Sequence, residues 1–185
     1  MKYSKFLSLI FVAVATLGNL YAKPIRVGML NYELDSNQSI AKVVSCEITG
    51  DITIPELIVV NDIKYKIISI GERAFYKDSN LVSITFPNSL ISIDKEAFFG
   101  CSSLKRIVLP QKILTIGNHA FAECSQIREV CNLNLTPIPL NKTVFEKINL
   151  SHCVLIVHPS AIDSYKSVKG WKDFTNIIPL QIRYN

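Results

Sequence analysis

The chain has 185 residues, 49% of them apolar, with 20 lysines and arginines against 15 acidic residues. This mild positive excess contains no basic run and no interleaving of basic and aromatic residues, which argues against nucleic acid as a partner. The five cysteines and three histidines lack the clustered spacing of metal ligands, so neither a metal nor another cofactor is expected.

The first 22 residues have the pattern of a secretory signal peptide. Lys2 and Lys5 precede an apolar run at residues 6–14, and Ala22 ends the segment. A membrane anchor is the alternative, but the run is shorter than the roughly 20 residues of a spanning helix. We therefore expect an exported protein that is secreted, periplasmic or on the cell surface, with no membrane span after cleavage. Residues 23–185 then form a single domain with a net charge of 18 minus 15, or +3.

Residues 23–66 contain no repeat and are predicted to form an N-terminal cap and the first repeat unit. Residues 29–34 and 40–44 are apolar segments on either side of Asp35–Gln38, whose residues favour a turn, so they predict a β-hairpin. Asn61 and Asp62 separate two further apolar segments and predict a second, smaller hairpin.

The next stretch repeats one pattern at a period of 23 residues. Ile70–Phe75, Ile93–Phe98 and Ile116–Phe121 are three copies, separated by the similar phrases Leu81–Pro87 and Leu104–Pro110. Such a period predicts stacked units that share one core. Each proline-ended phrase is expected to be a short parallel strand. Each Ile-to-Phe phrase is expected to be an irregular turn or a short 3₁₀ segment on the opposite side.

After Ile127 the pattern weakens. Asn132 and Leu133 stand where Leu-Pro is expected, and Phe145, 24 residues after Phe121, is predicted to restore the row of phenylalanines. Val154–Val157 has the composition of a buried strand. Residues 67–159 are accordingly predicted to be the repeats.

Residues 160–185 are predicted to form a C-terminal cap. Ser160 is the expected N-cap of a short helix from Ala161 to about Val168, and Gly170 ends it. Trp171, the only tryptophan, is expected in the core of this cap rather than on a sugar-binding surface.

The phrase Ile-Gly-x-x-Ala-Phe-x-x-Cys-x-x-Leu-x-x-Ile-x-Leu-Pro resembles the BspA-type leucine-rich repeat. The match is close at Ile116–Cys124, whereas the first unit has Asp78 where the next two have Cys101 and Cys124. The resemblance implies a mainly β solenoid of about 23-residue units with parallel strands, an N-terminal hairpin cap and a C-terminal helix and Trp cap. The family is common in bacterial surface and secreted proteins and is associated with attachment to host proteins and other cells.

Cys101 and Cys124 occupy the same position in neighbouring units. Their spacing allows either a disulfide or two buried free thiols, and both alternatives stay open.

In such a solenoid, strand residues between the core positions face outward and form the usual binding surface. They are Ser83, Thr85, Arg106, Val108, Glu129 and Cys131. The alternative is that this face is merely solvated. Aromatic residues after the Ala-Phe pair, Tyr76 and Phe99, with Ala122 in the third unit, could stack on a sugar ring or pack on one another.

No nucleophile, oriented base and oxyanion site can be assembled from the spacing of serines and histidines, so catalysis is not expected. The function predicted is a non-enzymatic adhesion or binding module for a protein partner, a host extracellular or cell-surface protein being one candidate. The alternative is a periplasmic or surface accessory that binds a glycan or assists a neighbouring surface protein.

Overall fold

The computed structural model describes residues 23–47 and 49–181, so the predicted signal peptide lies outside the described residues. Thirteen short strands and one helix are present in the described part: β1 (Ile25–Val27), β2 (Leu30–Asp35), β3 (Ile40–Cys46), β4 (Asp51–Thr53), β5 (Leu57–Val60), β6 (Ile63–Ile70), β7 (Ser83–Thr85), β8 (Ser92–Ile93), β9 (Arg106–Leu109), β10 (Thr115–Ile116), β11 (Glu129–Asn132), β12 (Val154–Val157), α1 (Ile162–Ser167) and β13 (Asn176–Pro179). Leu150–His152 and Pro159–Ala161 are 3₁₀ turns.

The predicted parallel strands form one side of the solenoid. β9, β11, β12 and β13 pair in parallel, and β4 pairs with β7. Equivalent residues lie opposite one another, as Ile107 does with Val130. The hydrogen-bonded ladder is interrupted between β7 and β9, so the side consists of a two-stranded and a four-stranded sheet.

A second parallel sheet lies at the start of the Ile-to-Phe phrases, where the sequence predicted only turns. The end of β6, β8 and β10 pair in register, with Ile70 opposite Ile93 and Ile93 opposite Ile116. The predicted turns are confirmed after the first residue of each phrase, but the strands at that residue were not predicted, because a two-residue strand is too short to show an alternating pattern.

The six residues after each of these strands form a turn that also repeats regularly. Phe75 donates its amide to the carbonyl of Ala97 at 2.8 Å, and Phe98 does the same to Ala120. Non-glycine residues occupy the left-handed region of backbone conformation in these turns, including Arg73, Glu96 and His119 at φ 56–58°. Because these backbone bonds join consecutive units, they offset the strain of that conformation.

The core is a set of rows in which like residues stack. The ring centroids of Phe75 and Phe98 are 4.9 Å apart, those of Phe98 and Phe121 are 5.2 Å, and those of Phe121 and Phe145 are 5.8 Å. The interplanar angles are 9°, 5° and 15°, so the rings are stacked in parallel. The predicted phenylalanine row is confirmed, including its continuation at Phe145.

The two ends of the row of units differ from the middle. The predicted first hairpin is formed by β2 and β3, and β3 pairs with β6, which covers the first unit. Asn61 and Asp62 form the predicted second hairpin turn, with φ of 50° and 62°. β6 runs across residue 66, where the cap was predicted to end. The division of the chain at residues 66 and 159 stays a prediction.

The C-terminal end contains the expected helix and tryptophan, with one correction. Ser160 does not cap α1; it lies in a 3₁₀ turn whose N-cap is His158, and its amide donates to His158 Nδ1 at 3.2 Å. Pro159 favours this tighter start, which shortens the helix to Ile162–Ser167. Trp171 is fully buried, and its indole N–H donates to the carbonyl of Ile138 at 2.7 Å.

The cysteines of the repeat are free thiols. The thiols of Cys101 and Cys124 donate to the carbonyls of Phe75 and Phe98 in the preceding unit, each at 3.0 Å. The thiol of Cys153 donates to the carbonyl of Ile127 at 3.2 Å, but Cys153 directly precedes β12 and so occupies a different position in its unit. In these two units the position therefore suits a small apolar residue with a donor, which cysteine provides.

Candidate functional site

The outward side chains of β4, β7, β9, β11, β12 and β13 form what we call the strand face. Alternation along each strand places two of them per unit outward, and parallel register aligns them in two rows. The first row is Asp51, Ser83, Arg106, Glu129, Val154 and Asn176. The second row is Thr53, Thr85, Val108, Cys131, Ile156 and Ile178.

Polar contacts fix the first row. The Ser83 hydroxyl donates to Asp51 Oδ1 at 2.6 Å, and Arg106 Nε lies 2.5 Å from Glu129 Oε1. Both pairs join neighbouring strands, and the side chain of Arg106 is 58% exposed. A partner that approaches this row therefore meets an arginine already held by its neighbour, with donors still directed to solvent.

Cys131 was expected to be available on this face, and that expectation was wrong. Its position in the second row is as predicted, but only 2% of its surface is exposed. The small side chain lies between Val108 and Ile156 on the adjacent strands. Burial raises the pKa of its thiol, so the thiol contributes to an apolar floor rather than to reactive chemistry.

Sequence reasoning missed six members of the strand face. They are Asp51, Thr53, Val154, Ile156, Asn176 and Ile178. Their units depart from the 23-residue spacing, since Val154 follows its partner Glu129 by 25 residues. Alternation within Val154–Val157 was the available signal, but a wholly apolar run conceals which side chains face outward.

The strand face changes character along the solenoid. Hydroxyl groups and a carboxylate lie at β4 and β7, the Arg106–Glu129 pair lies in the middle, and aliphatic side chains lie at β12 and β13. Ile178 is 39% exposed. The face thus combines an apolar row with a charged row, as protein-recognition surfaces often do.

The aromatic row on the turns is largely occupied by its own members. Tyr76 and Phe99 stack with centroids 5.2 Å apart, and Ala122 is buried. Arg73 and Lys77 lie over the Tyr76 ring at 5.0 and 5.4 Å. A sugar would have to displace these contacts to stack there, so the row serves packing rather than binding.

Charged residues on the turns pair from unit to unit. Arg73 donates to Glu96 at 2.6 Å, Lys147 to Glu123 at 2.6 Å, and His119 Nε2 lies 3.0 Å from Glu146. The pKa of Glu96 is lowered by its hydrogen bond from Arg73. These pairs link consecutive units through their side chains, and His119 belongs to one of them.

A shallow groove of about 290 Å³ lies beside the last units and is lined by Ser125, Arg128, Lys147, Asn149 and His152. We call it the basic groove. Arg128 Nη1 donates to the carbonyls of Ser125 and Ile127, each at 2.8 Å, which fixes the guanidinium group. Its lining contains hydrogen-bond donors, and the Glu123 carboxylate pairs with Lys147 beside it, so the groove is suited to a hydroxyl-rich or anionic ligand.

Within residues 23–47 and 49–181, no group of three or more His, Cys, Asp or Glu residues could hold a metal ion. In the same part of the chain, no helix has the length and apolar character needed to cross a bilayer.

Comparison with known families gives one match, to the BspA type leucine rich repeat region, in six copies over residues 57–166. The chain belongs to this family. Repeats of this fold are generally non-enzymatic modules that bind other proteins through their stacked surface, and the architecture described above is consistent with that role.

Solved structures with the same fold come from several bacteria. A leucine-rich repeat protein from Bacteroides capillosus is 20% identical, with a TM-score of 0.57 over 86% of this chain and 99% of that one. The T. pallidum leucine-rich repeat protein is 16% identical, with a TM-score of 0.56 over 85% and 83%. Pneumococcal vaccine antigen PcpA is 17% identical, with a TM-score of 0.54 over 86% and 48%. No curated protein matches the sequence.

Proposed function

We propose that this BspA-type protein is an exported, non-enzymatic binding or adhesion module whose strand face recognises a protein partner. The observation that carries the proposal is the apolar row from Val108 to Ile178, which lies directly beside the Arg106–Glu129 pair. Aliphatic residues supply contact area and the charged pair supplies orientation. A host extracellular or cell-surface protein is the expected class of partner.

Export is part of the proposal. The basic start, the apolar run at residues 6–14 and Ala22 support secretion, and the family is common in surface and secreted proteins. Protease treatment of intact cells should remove the protein if it lies on the surface. A protein that resists treatment and is released only by outer-membrane permeabilisation would be periplasmic.

The test is a binding screen of the chain, expressed in full, against extracellular-matrix proteins. Arg106→Glu would place two carboxylates side by side on the strand face and should weaken binding at least tenfold. Arg73→Glu is the matched control, because it makes the same change beside Glu96 on the turns. Equal loss in both variants, or loss only in the control, would contradict the strand-face assignment.

A glycan ligand is the second candidate, and the basic groove favours it. Arg128, Lys147 and His152 could contact an acidic sugar while Ser125 and Asn149 bond its hydroxyl groups. Glycan-array binding that is lost in Arg128→Gln but kept in Arg106→Glu would support this alternative. Binding of a protein ligand that is lost in Arg106→Glu but kept in Arg128→Gln would support the strand face.

A further inference from the structure

Two side chains of the basic groove are held in place by the backbone around them. Arg128 Nη1 donates to the carbonyls of Ser125 and Ile127, each at 2.8 Å, which occupies both of its hydrogens. Asn149 is the N-cap of the following 3₁₀ turn, and its Oδ1 accepts from the amide of Ser151 at 3.2 Å and from the hydroxyl of the same residue at 2.6 Å. These bonds fix a guanidinium and an amide group before a ligand arrives, so little side-chain freedom is lost on binding.

The same bonds determine which atoms stay available to a ligand. Arg128 keeps its Nε–H and Nη2–H groups, which lie side by side on one edge of the planar guanidinium and bond nothing in the described part of the chain. The Nδ2 donors of Asn149 and the hydroxyl of Ser125 are likewise unbonded within the described residues. The carboxylate of Glu123 beside the groove is already paired with Lys147 at 2.6 Å. Fixed donors with few free acceptors favour a ligand that is rich in acceptors.

The charge of the groove matches a ligand with one negative charge. Arg128 and Lys147 are the cations of the lining, with histidine counted as neutral, and the Glu123 carboxylate offsets Lys147. One positive charge is left, on Arg128, so one carboxylate neutralises it, whereas a phosphate with nearly two charges would not be neutralised. Two parallel N–H···O bonds from one guanidinium edge are also the geometry in which arginine holds a carboxylate.

We propose that the basic groove binds a uronic acid residue of a glycan, with the carboxylate of the sugar on the Nε–Nη2 edge of Arg128. The inference rests on the glycan alternative given above and names the class of sugar. Asn149 Nδ2 and the Ser125 hydroxyl donate to the ring oxygen and hydroxyl groups that flank the carboxylate of such a sugar. An acidic side chain of a protein has no such oxygens beside its carboxylate, so it would leave these two donors unused.

The size of the groove limits how much of a glycan it holds. Its volume of about 290 Å³ lies at the lower end of the range for small-molecule sites. One sugar ring therefore occupies it, and the rest of the glycan stays in solvent. Because a single ring in a shallow groove makes few contacts, a Kd of about 1 mM is expected for the free monosaccharide.

The test is a titration of the full chain with sodium glucuronate, followed by two-dimensional ¹H–¹⁵N NMR. The Nε–H signal of Arg128 should shift with a Kd of about 1 mM, because this group donates directly to the carboxylate. Glucose and sodium acetate, at the same concentration and ionic strength, separate the contribution of the ring from that of the charge. Each should bind at least about tenfold more weakly than glucuronate, since each lacks half of the contacts.

Substitutions distinguish the geometry of the site from its charge. Arg128→Lys should weaken glucuronate binding at least about tenfold, as Arg128→Gln does, because lysine keeps the charge but cannot make two parallel bonds. Asn149→Asp keeps the cap acceptor but replaces the free donor by an oxygen, so it should also weaken binding about tenfold. Glu123→Gln releases Lys147 and should tighten binding. Lys105→Gln is the matched control, since this exposed lysine belongs to the preceding unit and lies outside the groove lining, and it should change the Kd less than about twofold.

The adverse outcomes are distinguishable from one another. Glucose that binds as tightly as glucuronate would keep the glycan alternative and overturn the carboxylate assignment. An equal shift with acetate would mean that the groove holds an adventitious ion only, which overturns the sugar assignment. Binding that survives in Arg128→Lys would overturn the proposed guanidinium edge. Glycan-array binding that is lost in Arg128→Gln, without any shift on addition of glucuronate, would overturn this inference and leave the glycan alternative standing.

Discussion

The middle of the solenoid and its two ends keep the same core by different means. Around Phe98, each buried side chain meets its own copy in the units before and after it, and the backbone turns bond in the same way. At the C-terminal end, Phe145 instead meets Trp171 and Phe174 edge-on, at 6.1 and 5.5 Å. Inside the stack, repeated side chains are therefore sufficient to fill the core. The last unit has no copy beyond it, so side chains of another shape cover its exposed apolar surface.

The largest expected difference between the middle and the end concerns the phenylalanine row. Phe98→Ala should reduce the free energy of unfolding by about 3–5 kcal/mol, because a fully buried ring between two others is lost. Phe75→Ala should cost about 1 kcal/mol less, since Phe75 stacks on one ring only. Urea unfolding followed by circular dichroism would measure both, and equal losses would contradict the difference.

Glycine gives the next comparison. A Cβ at Gly117 would lie 2.5 Å from the amide nitrogen of Lys95 in the neighbouring unit, whereas one at Gly71 would lie 3.0 Å from the Val43 carbonyl oxygen at the cap. Gly117→Ala should therefore lower the free energy of unfolding by about 1–3 kcal/mol. Gly71→Ala should cost less, because the cap can shift more easily than a packed unit. A larger loss at Gly71 would show that the cap is the more rigid region.

The buried thiols predict a dependence of stability on alkaline pH. Hydrogen bonding with Cys124 and burial raise the pKa of Cys101, and burial raises the pKa of Cys153. A raised folded-state pKa gives stability that is complete below the unfolded thiol pKa of about 8.5 and is lost as pH rises above it. The free energy of unfolding should fall from about pH 8.5 upward.

The Cys101→Ala, Cys153→Ala double variant tests this origin directly. The free energy of unfolding of this variant should fall less steeply than that of the unchanged chain between about pH 8.5 and 9.5, which is below the range in which tyrosines ionise. An unchanged slope would mean that these thiols do not control the alkaline transition.

The smallest expected effect lies on the exposed turns. The pKa of Glu96 is lowered by its hydrogen bond from Arg73, so the pair stabilises the fold above the ordinary carboxyl pKa and loses that contribution as pH falls through the folded value. Glu96→Gln should lower the thermal midpoint slightly at neutral pH and have no effect near pH 3. A difference that persists at acidic pH would indicate a packing role for Glu96 instead.

The repeated parts of the fold could be predicted because each position is set by its own copy. Phe145 could be placed from Phe121 despite a weakened pattern, and Trp171 from its position after the cap helix. The two-residue strands at Ser92–Ile93 and Thr115–Ile116 could not, since their pairing is decided by neighbouring units rather than by local alternation.

The candidate site was predicted less completely than the core. Arg106 and Glu129 were placed on one face, but their ion pair depends on side-chain conformations that spacing does not encode. Cys131 was expected to be exposed, because strand alternation gives the direction of a side chain but not how far its surroundings shield it from solvent. His158 replaced Ser160 as a cap because Pro159 set the local turn.

A double-mutant cycle on the phenylalanine row tests the central claim, that each unit is stabilised by its neighbours, most directly. Phe98→Leu and Phe121→Leu, in adjacent units, should show a coupling energy of about 0.5–3 kcal/mol in the free energy of unfolding. Phe75→Leu and Phe145→Leu, which stack on no common ring, should be additive to within about 0.5 kcal/mol. Additive effects in the adjacent pair would contradict the account.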